Sequence, residues 1–307
     1  MKISIDRGVL LKALNHVQSV VERRNTIPIL SNVKIDADEK GISLIATDLD
    51  LEIIEKVEAT VSQVGSTTVS AHILYDIVRK IPEGSSIEIE QNQDDQMELK
   101  SGQSNFDLPC LPDEDFPEMS SGEMPCNFTM NSSDITRLID KTKFAISTEE
   151  TRYYLNGIFL HSINNELRSV ATDGHRLACI KSDLPSGAEE MPSIIIPRKT
   201  VGEIRKLIED SSDNLTIKVS DTKIQFILKD VQLTSKLIDG TFPDYERVIP
   251  KNNDKELSIE TKIFSSSIDR VATISSDKSK AVKFLLKDGA LTLTVINPDA
   301  GTAVETT

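Results

Sequence analysis

The side chains that offer chemistry in this 307-residue sequence are a few carboxylates and histidines at turn-like positions. Asp48 and Asp50 flank one leucine, and Asp173 and His175 flank one glycine. Such side chains bind metal ions or act as an acid–base pair, as in a metal-dependent nuclease. Asp also commonly bonds its own backbone at a turn, and no third ligand follows either pair at useful spacing. We therefore predict no metal site and keep the nuclease only as an alternative.

No motif of a known catalytic or cofactor site is present. The sequence lacks G-x-x-x-x-G-K-[ST], G-x-G-x-x-G, G-x-S-x-G and H-E-x-x-H. Neither the four histidines nor the three cysteines cluster, which argues against a disulfide scaffold and fits a reducing cytosol. A run of about 18 apolar residues, as a membrane-spanning helix needs, is also missing. The sequence therefore offers no catalytic centre, and we expect neither enzymatic activity nor a cofactor.

Two marker sequences recur at nearly the same spacing, which indicates an internal repeat. Ala46-Thr47-Asp48 returns 125 residues later as Ala171-Thr172-Asp173, and Phe116-Pro117 returns 126 residues later as Phe242-Pro243. Between the markers each half predicts a helix, paired strands, the Ala-Thr-Asp turn, a second helix and further strands. We infer a duplicated α+β domain.

A third copy begins near Lys251, where a helical stripe is again followed by alternating strand patterns. The predicted domains are therefore 1–125, 126–250 and 251–307. A full third copy would need about 70 more residues, so we expect it to be incomplete.

The charge of the chain is divided between its predicted elements. The net charge is −14, yet the predicted helices together carry +10 and the remaining residues −24. Lysine and arginine are ordinary on helix surfaces, so this pattern alone has a simple structural explanation. The functional explanation is one basic surface that attracts a phosphate backbone without reading bases. The helical segments counted are 7–24, 71–80, 132–144, 198–206 and 262–280.

Two further segments combine turn residues with apolar side chains. Thr172–Leu177 combines turn-forming residues with an apolar leucine. Phe242–Pro250 contains two aromatic residues and two prolines, with charged residues between them. They fit an ordinary turn and an interdomain linker, or together the walls of an apolar groove for a short peptide.

Six segments in order along the chain resemble the β subunit of bacterial DNA polymerase III, the replicative sliding clamp. The resemblance implies three tandem clamp domains, each with two helices packed on antiparallel sheets, in a head-to-tail dimeric ring around double-stranded DNA. It also implies a bacterial cytoplasmic homodimer that tethers the polymerase and has no catalytic site of its own. The matching segments are Arg24–Asn32, Ala46–Asp50, Arg152–Gly157, Ala171–Ala178, Pro197–Lys199 and Asp239–Tyr245.

The resemblance also assigns roles by position. The residues that match DNA contacts are Arg24, Arg152, Tyr153, Tyr154, Arg198 and Lys199, with the two tyrosines placed to stack on an unpaired base. The residues that match the partner-peptide groove are Leu155, Thr172, Gly174, His175, Arg176, Leu177, Pro243, Arg247 and Val248. The residues that match the dimer interface are Phe106, Leu108 and Ile274, the last preceded here by Thr273 where the family usually has an apolar residue.

The partners that the family implies are the polymerase catalytic subunit, the clamp loader, repair polymerases and mismatch-repair proteins. They bring short peptide motifs that contain a Gln and a Leu-Phe pair. The family's Met-Pro-Met-Arg-Leu-like tail, which completes the groove, is not found in this sequence, so we expect weaker peptide binding. The alternative to a clamp is a monomeric peptide-binding module that does not encircle DNA.

Overall fold

The computed structural model forms two compact units, Met1–Pro243 and Asp244–Thr307. No helix within the described part of the chain is long and apolar enough to cross a membrane. The structure describes residues 1–23, 25–92, 96–120, 122–209, 213–276, 280–287 and 289–307.

The first copy of the repeat has two helices and nine strands. Helix α1 (Arg7–Val17) begins where Asp6 Oδ1 accepts hydrogen bonds from the N–H groups of Gly8 and Val9, as an N-cap does. Helix α2 is Ala71–Lys80. The strands are β1 (Lys2–Asp6), β2 (Asn32–Asp38), β3 (Gly41–Thr47), β4 (Leu51–Val57), β5 (Thr60–Gln63), β6 (Gly65–Ser70), β7 (Ser86–Gln91), β8 (Gln96–Ser101) and β9 (Ser104–Leu111).

The second copy repeats this order without a counterpart of β5. Its helices are α3 (Ser132–Asp140) and α4 (Arg198–Glu209). Its strands are β10 (Cys126–Asn131), β11 (Gly157–Ile163), β12 (Glu166–Thr172), β13 (Leu177–Asp183), β14 (Ile194–Pro197), β15 (Asn214–Val219), β16 (Lys223–Leu228) and β17 (Val231–Lys236).

One of two sheets joins the first two copies. One sheet has the strand order β10-β15-β16-β17-β4-β3-β2-β6-β9-β8-β7-β1-β5, and a second has the order β13-β12-β11-β14. Strand β17 pairs antiparallel with β4, with Leu233 opposite Ile53, so the backbone ladder crosses from one copy to the next. The buried apolar side chains of both copies form one continuous cluster.

The second unit contains the third copy of the repeat. It consists of α5 (Thr261–Ala272), β18 (Lys283–Lys287), β19 (Ala290–Asn297) and β20 (Gly301–Thr306). The three strands form one antiparallel sheet, and its core contains Val271, Leu291, Leu293 and Val295. The predicted class, α+β with three copies of one domain, is confirmed.

The apolar stripes extend further than the helices do. The first stripe continues to Val21, but α1 ends at Val17, and Val20 and Val21 are buried by the turns that follow. Phe144 belongs to a 3₁₀ turn after α3 and is 56% exposed. The alternation in β18 is not accompanied by alternating burial, because all five of its residues are exposed. The periodicity of apolar residues therefore predicts that these helices and strands exist, but not the residues at which they end.

Candidate functional site

A tight turn between β12 and β13 is the best-defined candidate site. Asp173 Oδ1 accepts hydrogen bonds from the backbone N–H groups of His175 and Arg176, both at 2.9 Å. Thr172 Oγ1 accepts from the N–H of Gly174 at 3.1 Å and donates to the carbonyl of Arg176 at 2.7 Å. Gly174 has φ of +86°, a left-handed value that glycine adopts without strain. The turn is thus fixed by its own side chains, and His175 and Arg176 are exposed.

The side-chain acceptors of this turn recur in the first copy, and one of them has a counterpart in the third copy. In the first copy Thr47 Oγ1 accepts from the N–H of Leu49 at 3.0 Å, and Leu49 has φ of +78°. Asp48 Oδ1 accepts from the second and third N–H groups after it, at 2.9 and 2.7 Å. In the third copy Asn297 Oδ1 accepts from the N–H of Asp299 at 3.0 Å. The repeat first detected as a tripeptide is therefore present at the level of individual hydrogen bonds.

Arg176 is held on two sides. Its Nε donates to Asp173 Oδ2 at 2.9 Å, and its guanidinium carbon lies 5.8 Å from the centre of the Phe144 ring. This distance is within the range of a cation–π contact. In the sequence, Phe144 falls in a helical stripe and has no visible connection with the turn. A contact between residues 32 positions apart leaves no local signal in the sequence.

The hydrogen bonds of the turn have a consequence for its acid stability. The pKa of Asp173 falls from 3.8 to about 2, chiefly because the Arg176 N–H donates to its carboxylate, with further lowering by the His175 N–H and the Arg176 side chain. A lowered carboxyl pKa adds stability above the unfolded value, and that stability is lost as pH falls through the folded value.

We therefore expect the Asp173 carboxyl to titrate near pH 2 by NMR. Asp173→Asn keeps an oxygen for the turn but removes the charge. The stability difference between wild type and this variant should be constant above about pH 5 and should shrink as pH falls from about 5 to about 1. A difference at pH 2 as large as that at pH 7 would contradict this assignment.

The segment with the predicted DNA contacts packs against this turn. Arg152 Nη2 pairs with Glu149 Oε2 at 2.8 Å, and a Cβ added to Gly174 would collide with the Arg152 guanidinium. The rings of Tyr153 and Tyr154 meet edge to face, with centroids 5.8 Å apart and planes at 78°. Tyr153 is 55% exposed and available to a stacking partner. The turn and Arg152, which precedes the tyrosine pair in the chain, are therefore direct neighbours.

The remaining predicted DNA contacts differ in availability. Arg24 lies outside the described residues. Arg198, the first residue of α4, donates its backbone N–H to the carbonyl of Asn156 at 3.0 Å, and its side chain is exposed. Lys199 Nζ instead lies 2.5 Å from Asp48 Oδ2, in the first copy of the repeat. The Lys199 ammonium group is thus already paired with a carboxylate, although its side chain is 37% exposed, and the Arg198 side chain is exposed as well.

The nine residues predicted for the peptide groove lie in both compact units. Leu155 is 3% exposed and offers little surface to a ligand, whereas Leu177 is half-buried and offers apolar surface beside the turn. Pro243 is exposed at the end of the first unit. Arg247 and Val248 belong to the second unit, where Val248 is 68% exposed. Their shared role in one groove remains a prediction.

The predicted interface residues also differ in how much surface they offer. Leu108 is 8% exposed and lies in the core, so it has little surface left for a partner. Phe106 is half-buried against the same core, and Ile274 is half-buried against the core of the third copy. Phe106 and Ile274 are thus the better candidates for a protomer contact.

Nothing in the described ranges resembles a metal centre. No group of three or more His, Cys, Asp or Glu side chains there could hold an ion. Asp48 and Asp173 each use one oxygen for their own turn and the other for a basic side chain. Turn formation, the alternative to metal binding at these positions, accounts for both carboxylates.

Comparison with known proteins covers almost the whole chain. Three family models of the DNA polymerase III beta subunit match this chain. The N-terminal domain matches residues 1–120, the central domain 129–244 and the C-terminal domain 246–307. The beta sliding clamp of Caulobacter vibrioides is 50% identical over 99% of this chain and 83% of the relative. That of Escherichia coli K12 is 36% identical with the same coverage.

Solved structures agree with these matches. A DNA polymerase III subunit beta from Bartonella birtlesii bound to griselimycin is 50% identical, with a TM-score of 0.96, and the match covers 100% of this chain and 83% of that one. A Pseudomonas aeruginosa sliding clamp bound to griselimycin is 37% identical with a TM-score of 0.93, at the same coverage. The hydrogen-bonded repeat and these likenesses along the whole chain place this protein in the family of the bacterial DNA polymerase III β subunit, the β sliding clamps.

Proposed function

We propose that this chain is the processivity clamp of a replicative DNA polymerase. Two copies join head to tail into a ring that encircles duplex DNA, slides without sequence specificity and tethers the polymerase. The observation that carries the proposal is the match of all three clamp domains, in order, to relatives named beta sliding clamp. The function is topological and the chain is a non-catalytic subunit, acting in the bacterial cytoplasm.

The charge distribution supports this mode of binding. Lysine and arginine outnumber aspartate and glutamate by 11 to 6 in α1–α5, whereas the remaining residues of the chain carry 24 basic and 43 acidic side chains. Basic side chains attract phosphates of any sequence, and the acidic remainder repels DNA from other surfaces. Such contacts are weak one by one and exchange readily, so the ring can move along the duplex.

The two best-preserved copies of the turn suggest where partners bind. In the first copy Asp48 is already in contact with Lys199 of the second copy. In the second copy His175 and Arg176 are exposed beside the apolar Leu177. We assign the partner groove to this second turn, for peptide motifs from the polymerase, the clamp loader, repair polymerases and mismatch-repair proteins. Two relatives are bound to griselimycin, so clamps of this family accept a ligand.

The test is retention on circular DNA. The chain is loaded onto a nicked plasmid by the clamp loader of a related bacterium, and complexes are isolated by gel filtration at about 0.5 M salt, where the Debye length falls below about 5 Å. A threaded ring stays on the circle and is released when one restriction cut linearises it. The Escherichia coli clamp serves as the control for loading.

The monomeric peptide-binding module gives a different result. It would bind a Gln/Leu-Phe peptide but show neither retention on the circle nor a sedimentation mass of twice 34.0 kDa. Retention that survives linearisation would also contradict the ring, because only topological attachment depends on a closed circle.

A further inference from the structure

Lys199 sits at the junction of the first two copies, and its ammonium group is surrounded by acceptors from the first copy. Its Nζ lies 2.5 Å from Asp48 Oδ2, 3.1 Å from the carbonyl oxygen of Val20 and 3.5 Å from Glu22 Oε1. The first two oxygens accept hydrogen bonds from the ammonium group, and the Glu22 carboxylate adds a longer ion pair. A DNA phosphate at this site would compete with these acceptors.

The repeated turn explains why Lys199 is needed there. Asp48 and Asp173 each give Oδ1 to the backbone of their own turn, so in each case Oδ2 remains for a cation. In the second copy that cation is Arg176, which comes from the same turn. The first copy has Leu51, 2% exposed, at the corresponding position, so the turn has no cation of its own. Lys199 supplies the charge from the other copy.

The surroundings favour a structural ion pair. The Asp48 side chain is 13% exposed and that of Lys199 is 37% exposed. The carboxylate of this pair is largely shielded from water and the ammonium group is partly exposed, so removing either partner should cost more than breaking a fully exposed pair does. A second contact adjoins it, since the N–H of Lys236 donates to the Asp50 carbonyl at 2.8 Å.

We infer that Lys199 is an interdomain clasp, a positioning residue that fixes α4 of the second copy on the Thr47–Leu51 turn of the first. It is not a contact to DNA. The phosphate contact at this site belongs to its exposed neighbour Arg198. The structural role of Lys199 is independent of the proposed function. Only the assignment of the phosphate contact to Arg198 instead of Lys199 rests on DNA binding by the clamp.

The clasp is tested by a double-mutant cycle in the full chain. Asp48→Asn keeps an oxygen for the turn but removes the charge, and Lys199→Gln removes the ammonium group. Each variant should lower the folding equilibrium constant about fivefold to thirtyfold in urea denaturation. The double variant should be no less stable than the less stable single variant, because both changes break one interaction. Additive losses would overturn the clasp.

The role of Lys199 at DNA is tested by salt titration of binding to a short duplex, measured by fluorescence anisotropy. Each phosphate contact contributes about 0.9 to the slope of log Kobs against log salt concentration. Arg198→Gln should reduce the slope by about that amount, and Lys199→Gln should leave the slope unchanged. A general loss of stability does not produce this contrast between the two variants. An equal reduction in both variants would overturn the inference. If the wild-type chain binds no DNA, the proposed function fails, while the double-mutant cycle still decides the clasp.

Discussion

Gly157→Ala is expected to destabilise the protein strongly, although it adds only one methyl group. Gly157 begins β11 opposite Pro197, and an added Cβ would overlap the carbonyl oxygen of Ile196 and lie 2.9 Å from its carbonyl carbon. A backbone group in a paired strand cannot rotate away as a side chain can. We expect a loss of about 3 kcal/mol, the upper part of the range for overpacked sites, and a lower melting temperature by about 10 °C.

Gly202→Ala is the matched control. Gly202 lies inside α4, and a Cβ there would meet no atom within 4 Å. Since glycine is a poor helix former, this change should stabilise the protein by about 0.5–1 kcal/mol. Thermal and urea unfolding of the two variants should therefore shift in opposite directions. A loss below about 1 kcal/mol for Gly157→Ala would show that β14 can separate from β11 without consequence.

The β11–β14 contact also connects stability with function. Strand β14 ends at Pro197, and Arg198 follows at once as the first residue of α4. The Arg198 N–H donates to the Asn156 carbonyl, next to Gly157. A shift of β14 would therefore move Arg198 and Lys199 together. We expect Gly157→Ala to weaken DNA binding as well as folding.

The features that the sequence predicts well are those that depend on neighbouring residues. The Ala-Thr-Asp tripeptide predicts its turn because Thr47, Asp48, Thr172 and Asp173 bond to backbone groups two or three residues away. Helices and strands follow from local periodicity for the same reason. Two turns of identical local chemistry are also what makes the duplication visible.

The features that the sequence does not predict depend on distant contacts. Lys199 looks like a free cation beside Arg198, and only the fold brings Asp48, 151 residues earlier, to its ammonium group. Leu108 shares the strand pattern of Phe106, but in the fold it lies opposite Met97 of β8 and is part of the core, whereas Phe106 is only half-buried. Phe144 continues a helical stripe in the sequence, while the 3₁₀ turn exposes it beneath Arg176. Sequence position alone therefore does not show which of the predicted contact residues has a side chain available to a partner.

The second large effect is expected at the partner groove. Gly174→Ala places a Cβ at φ of +86°, where an L-residue is strained by about 1–2 kcal/mol. The same Cβ overlaps Nη1 of Arg152, so this flexible side chain, which holds Glu149 through Nε and Nη2, must also shift. Because the backbone of this residue sets the direction of His175 and Arg176, both should be displaced. We expect a fluorescent Gln/Leu-Phe peptide to bind about tenfold more weakly, a loss of about 1.4 kcal/mol.

Gly84→Ala is a control that introduces the same backbone strain without displacing a neighbouring side chain. Gly84 has φ of +74°, nearly the same as Gly174, but a Cβ there would meet nothing within 4 Å. Both variants should therefore lose similar stability in urea, while only Gly174→Ala loses peptide affinity in fluorescence polarisation. If both variants bind the peptide like the wild type, the turn between β12 and β13 is not part of the groove. If both lose affinity equally, the effect comes from lower stability, and the direct contact of the turn with Arg152 has no part in partner binding.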